Sequence, residues 1–439
     1  MIATRLWQIP YGREVGITLT ATFLLLEFWR APALQRNMGG AMFLIGGIAA
    51  WYGGDLIGGL INGLDRAQIF LVMFYAVTWL REPAVTSASL KELRDWVVGQ
   101  PAGRRYPMLW LSAHFLGSVL NLAAMSLLSV MAGEQKDKLL RKRLSVALMM
   151  GFTVASTWGP FYVSVAVILT AIPGVSWADI APQGLLLSFI LLFVGWGYDR
   201  AFLRQKLTVE APHQQHMPPT LQASSAVRTA SLLLALSVMV LGLHELANLP
   251  IPIALGVVSP PFAILWAALQ MSAGDRWHKG AKPLIMRIFK SLPELRNEAI
   301  AFSAASVLGI AVSTVLPPDQ ISATVQSYGL SGDVVIVGLI YGMTVAGAAG
   351  FHPVIVAILV GEVMPPEVIG MPPEILAMAL LGVWGTSTMI SPFSATTLFM
   401  SRVVNTPSHV IAWRWDIPVV FLAITVVAVY VVAYKHIFY

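Results

Sequence analysis

The feature that most constrains this chain is a series of long apolar runs. They fall near residues 14–29, 40–62, 67–80, 107–132, 143–172, 185–203, 227–246, 251–272, 298–316, 335–361, 374–400 and 417–437. A run of about 20 apolar residues is long enough to cross the bilayer core as a helix. A spanning β-barrel would instead show alternating segments of about ten residues. The sequence therefore predicts an all-α polytopic membrane protein.

The composition supports this fold class. Of the 439 residues, 57% are hydrophobic and 11% are charged, whereas soluble proteins carry about 25% charged residues. The net charge of +6 comes from Lys and Arg in the connections, as membrane topology requires, and does not indicate nucleic-acid binding. We expect a multi-pass protein whose partners are the lipid bilayer and a small-molecule substrate.

The distribution of Lys and Arg predicts the orientation. Connections 134–143 and 274–297 are rich in both residues and are expected in the cytoplasm, whereas 173–184, 317–334 and 362–373 contain neither and are expected outside. The C-terminus is then also outside. We expect the protein in a bacterial inner membrane.

Two apolar runs conflict with simple alternation across the membrane. Run 107–132 lies between two basic segments, 81–106 and 134–143, and both favour the cytoplasm. Run 335–361 lies between two segments without positive charge. A hairpin that enters and returns on the same side resolves each conflict, provided protein or water satisfies its exposed backbone. The charged stretch 85–100 carries an apolar face typical of an interfacial helix.

An internal repeat follows from the positions of two prolines. Pro392 lies 232 residues after Pro160, and "WGPFYVSV" then faces "ISPFSATT". Each proline interrupts an apolar run and breaks its helix. An inverted repeat of hairpin and broken helix is a transporter architecture.

The repeat predicts the following division of the chain: 1–80, N-terminal scaffold helices; 81–203, first repeat with hairpin 107–132 and broken helix 143–172; 204–225, cytoplasmic linker; and 226–437, second repeat with hairpin 335–361, broken helix 374–400 and last helix 417–437.

Hydroxyl side chains gather around both broken helices. Backbone groups freed at mid-membrane must be satisfied or used, and half-helix N-termini favour anions. The alternative is that these hydroxyls only cap or pack helices. The predicted substrate-binding residues are Ser118, Asn121, Ser156, Thr157, His352, Pro353, Thr386, Ser387, Thr388, Ser391 and Ser394.

Coupling to Na⁺ or H⁺ is expected to involve the same region, and no other cofactor is predicted. A sodium ion would lie near Ser156, Gly159, Ser387 and Ser391. Histidine changes charge near neutral pH, so proton coupling would fall on His352 or His114. We find no catalytic constellation, because the HExxH, Gly-x-Ser-x-Gly and Walker A patterns are all missing.

The hairpin and broken-helix pattern resembles the ion transporter superfamily, which includes the divalent anion–sodium symporters. The resemblance covers 81–437 and depends on tips "GSVLN" (117–121) and "GFHP" (350–353) and on breaks at Pro160 and Pro392. The symporters carry Ser-Asn-Thr tips and Thr-x-Pro breaks, which this chain lacks. The resemblance implies a fold, an elevator-like mechanism, a site location and a homodimer.

The sequence thus predicts an ion-coupled secondary active transporter of a small anionic solute, working by elevator-type alternating access. Three alternatives stay open. The same fold serves an exporter of a drug or of a lipid-linked precursor. A channel would need charged rings along a pore, which are not evident. A membrane-embedded transferase would need an acid/base pair near the membrane surface.

Overall fold

A computed structural model describes residues 10–204 and 221–439. Every regular element in these two ranges is helical. The predicted linker 204–225 falls largely on residues 205–220, which lie outside the described residues. The all-α fold class is therefore confirmed.

The described part of the first half, residues 10–204, contains ten α-helices in chain order. Their bounds are α1 Gly12–Glu27, α2 Ala33–Tyr52, α3 Leu56–Thr86, α4 Ala88–Val98, α5 Ala102–Leu120, α6 Leu122–Leu128, α7 Val130–Gly133, α8 Lys138–Val154, α9 Val163–Ala171 and α10 Trp177–Tyr198.

The described part of the second half, residues 221–439, is also built from helices. A short π-helical turn, Ile411–Asp416, leads into the last helix. The bounds are α11 Ala223–Ala247, α12 Ile251–Leu269, α13 Lys282–Ser291, α14 Arg296–Val315, α15 Pro318–Ser327, α16 Gly332–Ala348, α17 Pro353–Val363, α18 Pro373–Ile390, α19 Ala395–Val404 and α20 Ile417–Phe438.

Seven helical stretches of the described ranges are long and apolar enough to cross a membrane, or eight if the bent pair α15–α16 counts as one span. One predicted boundary is wrong. Runs 40–62 and 67–80 were expected as separate spans, but the chain breaks at 53–55 and continues as the 31-residue α3. Gly54 follows the end of α2 with a left-handed φ of 82°, and Asp55 then begins α3, because its side chain accepts the Gly58 N–H.

The first hairpin consists of α5, α6 and α7. Near its start, the Tyr106 hydroxyl donates to the Gly195 carbonyl at the end of α10. At its close, Gly133 packs against Val403 at the end of α19. The next residues of α8 join the same end of the molecule, since Arg143 pairs with Asp199 just beyond α10. The hairpin therefore opens and closes at one end, as the charge pattern predicted.

The second hairpin consists of α16 and α17 and opens at the opposite end. Its first turn contains Asp333, which pairs with Lys435 near the end of α20 at 2.6 Å. Its last turn contains Gly361, which packs against Ala171 at the end of α9. The 11 residues of α17 extend only about 16 Å, about half of the bilayer core. This arm enters the membrane layer without crossing it.

The two halves repeat one order of elements. In each, a long helix (α3 or α14) precedes a short amphipathic helix (α4 or α15), a hairpin, a broken helix and a final long helix. The broken helices are α8–α9, interrupted over 155–162, and α18–α19, interrupted over 391–394. Pro160 and Pro392 lie in these interruptions, so both predicted breaks and the inverted repeat are confirmed.

The helices pack as two bundles with hairpin arms between them. The first bundle, here called the scaffold, contains α1, α2, α3, α11, α12 and α14, and the second, here called the core bundle, contains α5, α8, α9, α10, α16, α18, α19 and α20. Arm α17 packs between α14 and α9, and arm α6 contacts α3. In an apolar 18-residue stretch of the broken helix 373–404, 94% of the residues are buried, whereas in such a stretch of α11 17% are buried. The second broken helix is therefore enclosed by other elements over nearly its whole apolar stretch.

Candidate functional site

The first break begins where α8 gives way to a 3₁₀ turn, Ala155–Thr157. Proline lacks an N–H and clashes with the preceding turn, so Pro160 prevents α8 from continuing. Side chains satisfy the freed carbonyls: Trp177 donates to the Trp158 oxygen at 2.7 Å, and Ser164 donates to the Ser156 oxygen at 3.0 Å. The break is thus a fixed shape stabilised from neighbouring elements.

The second break is stabilised by its own hydroxyls. Ser394 Oγ donates to the Thr388 carbonyl at 2.6 Å and accepts the Thr397 N–H, which caps α19. Thr397 donates to the Met389 carbonyl at 3.1 Å. The hydroxyls that follow Pro392 therefore replace hydrogen bonds that a continuous helix would make.

Each hairpin tip contacts the break of its own half. In the first, Asn121 adopts a left-handed φ of 53° and donates from its amide to the Phe161 carbonyl at 3.5 Å. In the second, Gly350 has a φ of 103° and lies against the ring of Phe393. A side chain at Gly350 would be strained by this φ and would overlap the ring. A hairpin tip thus meets a break within each half.

The two broken helices cross at Gly385. An added Cβ at this glycine would lie 2.6 Å from Ser156 Oγ and would overlap the Thr153 carbonyl. Only a residue without a side chain allows this approach between the halves. The crossing brings the hydroxyls of Thr153 and Ser156, in the first half, against the second broken helix.

Three buried hydroxyls on the two broken helices have no hydrogen-bond partner: Thr153 Oγ1, Ser156 Oγ and Ser387 Oγ. Buried polar groups are normally satisfied. An unsatisfied hydroxyl in a membrane protein is available to a ligand or an ion. Ser156 and Ser387 are both among the predicted site residues.

Most of the other predicted hydroxyls are already used within the protein. Each donates to a nearby backbone carbonyl: Ser118 to Phe115, Thr157 to Val154 and Gly184, Thr386 to Val383, Thr388 to Gly385, and Ser394 to Thr388. These bonds match the structural alternative of capping and back-bonding. Ser391 is buried at the second break, and Pro353 begins α17.

Ser387 faces away from the first break. Gly347 of the second hairpin lies against Ser387, while Gly385 lies against Ser156. Residues two apart on an α-helix differ by about 200°, so the two contacts occupy opposite faces of α18. The four residues predicted around sodium therefore form two pairs, Ser156 with Gly159 and Ser387 with Ser391.

Both candidate proton-carrying histidines lie beside a tryptophan of a broken helix. His352 Nδ1 accepts the Val354 N–H and caps α17, and its ring packs edge-on against Trp384 with centroids 6.0 Å apart. His114 Nε2 accepts from Trp158 Nε1 at 3.1 Å. Each histidine thus presents a hydrogen-bonded ring at the contact between a hairpin and a break.

Sequence reasoning missed Gly385. Its signal is weak, because small residues are common wherever membrane helices pack closely.

Among the described residues, no group of three His, Cys, Asp or Glu side chains is placed to hold a metal ion. A sodium ion at the breaks would therefore depend on carbonyls and hydroxyls.

Comparison with known proteins identifies the fold. No protein-family model matches this sequence, and no curated protein matches it by sequence. The YdaH transporter of Alcanivorax borkumensis is structurally similar, with a TM-score of 0.57, 12% identity and coverage of 83% of this chain and 85% of that chain. MtrF of Neisseria gonorrhoeae, described among a class of antimetabolite efflux pumps, has a TM-score of 0.57, 11% identity and 94% coverage of both chains. The chain has a membrane transporter fold.

Proposed function

We propose that this protein is an ion-coupled secondary active transporter of a small anionic solute. The crossing of two broken helices at Gly385, with partnerless hydroxyls on both, carries the proposal. Discontinuous helices that meet near the middle of an inverted repeat are where transporters place substrates and coupling ions. The fold shared with YdaH and MtrF supports transport over catalysis.

An anionic substrate is supported by the first break. Helix α9 begins at Val163 without a side-chain cap, whereas Ser394 caps α19. The uncapped N–H groups and partial positive charge of a helix N-terminus favour an anion. Asn121 lies beside this N-terminus, since its amide reaches the Phe161 carbonyl.

An elevator movement is supported by the two-bundle packing. Arms α6 and α17 lie where the core bundle meets the scaffold, and each hairpin tip contacts the break with which it would move. Arg66 of α3 pairs with Glu362 of α17 and donates to the Thr170 carbonyl of α9 at 3.1 Å. Movement of the core bundle relative to the scaffold would break these contacts of Arg66 and form others in their place.

Transport of labelled anions into proteoliposomes tests the proposal, with Na⁺ and pH gradients imposed separately. We expect accumulation that depends on one gradient and is reduced by Ser156→Ala or Ser387→Ala. Ser231→Ala is the matched control, because this exposed serine only donates to Val227 of its own helix.

Flux that continues without any gradient would identify a channel. Unchanged gradient dependence and pH profile in His352→Gln would exclude proton transfer by that histidine.

Efflux is the second candidate, and the similarity to MtrF favours it. Cells that express the protein would then tolerate higher concentrations of an antimetabolite and would accumulate less of it. The same variants separate the directions of transport: loss of tolerance in Ser387→Ala with retained tolerance in Ser231→Ala supports export. Tolerance equal to that of cells without the protein would exclude it.

A further inference from the structure

A cavity opens far from the breaks, at the end of the molecule where α8 begins, α10 ends and α20 begins. Its volume is about 450 Å³, and its lining residues are Lys142, Tyr198, Phe202, Leu203, Pro418 and Leu422. This volume is within the usual range for small-molecule sites. Lys142 lies about 16 Å along α8 from Thr153, so the cavity is separate from the helix crossing.

The cavity has one polar end and one apolar wall. At the polar end, Lys142 Nζ donates to the Arg414 carbonyl at 3.4 Å and also interacts electrostatically with Asp416, which is fully buried. On the apolar wall, Phe202 is 57% exposed and Leu422 is 41% exposed. The wall therefore continues onto the apolar outer surface, and an occupant can enter sideways from the lipid.

The surrounding surface is strongly basic. Segments 136–143, 199–204 and 408–416 contain eight Lys or Arg residues and three Asp residues. The aspartates are already engaged or enclosed: Asp137 caps α8, Asp199 pairs with Arg143, and Asp416 is buried. A Lys/Arg-rich end is typical of the cytoplasmic side, where the leaflet is anionic.

We propose that this cavity binds an anionic phospholipid, with the headgroup phosphate at Lys142 and an acyl chain along Phe202 and Leu422. Basic pockets between membrane helices at this level suit such headgroups. Free phosphate would share the contact with Lys142 but would leave the apolar wall empty. The exposed apolar wall is the reason to choose lipid over a soluble anion.

Lipid retention tests the proposal without any transport assay. The wild-type protein, Lys142→Gln and the control Lys279→Gln are reconstituted in nanodiscs containing equal phosphatidylglycerol and phosphatidylcholine, then extracted in mild detergent. Lys279 is a surface lysine paired with Asp275, away from the cavity. We expect wild type and Lys279→Gln to retain phosphatidylglycerol preferentially by mass spectrometry, and Lys142→Gln to retain about five-fold less.

Two further measurements keep the test decisive. Phe202→Ser should weaken retention of phosphatidylglycerol while melting as the wild type does, because Phe202 is largely exposed. Inorganic phosphate should not displace the retained lipid; displacement would identify a phosphate site and overturn the lipid assignment. Equal retention of the two lipids by wild type, or undiminished retention by Lys142→Gln, would also overturn it. Failure here leaves the transport proposal untouched, since the broken helices are not involved.

Discussion

Ser156 lies directly against Gly385 where the two broken helices cross, so this close approach between the halves depends on one missing side chain. A Cβ at Gly385 would come within 2.6 Å of Ser156 Oγ. Ser156 Oγ is buried there without a hydrogen-bond partner. The same crossing therefore holds the halves together and leaves a polar group available.

Gly385→Ala should force the broken helices apart. Overpacking a tight core site costs about 1–3 kcal/mol, so we expect a lower melting temperature in detergent and reduced transport. Gly342→Ala is the matched control, because a Cβ at Gly342 would meet nothing within 4 Å and alanine favours the helix by up to about 1 kcal/mol. Equal melting temperatures for the two variants would contradict the crossing.

Ser156→Ala, Ser387→Ala and Ser391→Ala should reduce transport with little change in stability. The first two remove buried hydroxyls that bond to nothing in the protein, so folding loses little when they are removed. Ser394→Ala is the contrasting control, since its hydroxyl caps α19 and its loss should cost about 1 kcal/mol. Wild-type transport in all three variants would exclude these serines from the site.

Asp199→Asn should strongly destabilise the protein. Both Asp199 oxygens accept from Arg143, at 2.7 and 2.8 Å, and the pair is almost fully buried. Removing one partner of a buried pair leaves an uncompensated charge and costs about 3–5 kcal/mol. Asp95→Asn, which breaks the more exposed Arg94–Asp95 pair, should cost less than about 1 kcal/mol. Thermal unfolding followed by tryptophan fluorescence compares the two.

Arg66 and Glu362 should be energetically coupled across the boundary between scaffold and hairpin. A double-mutant cycle with Arg66→Gln and Glu362→Gln measures this coupling, which we expect to be about 0.5–3 kcal/mol. The Arg13–Asp65 pair lies within the scaffold and is more exposed, so its cycle should give about 0–1 kcal/mol. Additive effects of the two substitutions would show that the pair contributes nothing.

The contact between α4 and α11 should depend on pH. Glu92 accepts from the Ser225 hydroxyl and from the Gln222 N–H, and these bonds hold the pKa of Glu92 below its usual value, chiefly through Ser225. A carboxyl whose pKa is depressed by folding contributes stability above its unfolded pKa and loses it as pH falls through the folded pKa. We expect α4 to detach from α11 in acid.

Ser225→Ala should move that detachment to higher pH, because Glu92 loses its main hydrogen-bond donor. Amide hydrogen exchange in 88–98, measured across the acidic range, reports it. Ser224→Ala is the control, since the exposed Ser224 hydroxyl bonds to the Gln222 side chain. Identical pH profiles for the two variants would contradict the role of Ser225.

Local sequence signals predicted the parts of this fold that depend on local chemistry. Pro160 and Pro392 gave both breaks, and the unequal distribution of Lys and Arg gave both hairpins. Hydropathy does not predict the boundary at 53–55, because "GGD" lies inside an apolar run. There the Gly58 N–H donates to Asp55, and a new helix begins although the run is apolar.

The sequence by itself determined that the chain is helical, that it repeats with inversion, and where its helices break, because apolar length, charge and proline act within a few residues. Only the tertiary structure decided which hydroxyls remain free. Ser394 and Ser387 look alike in the sequence, yet Ser394 reaches the Thr388 carbonyl while Ser387 is enclosed with no partner. A hydroxyl is satisfied only by a group within about 3 Å, and packing between distant segments sets that distance.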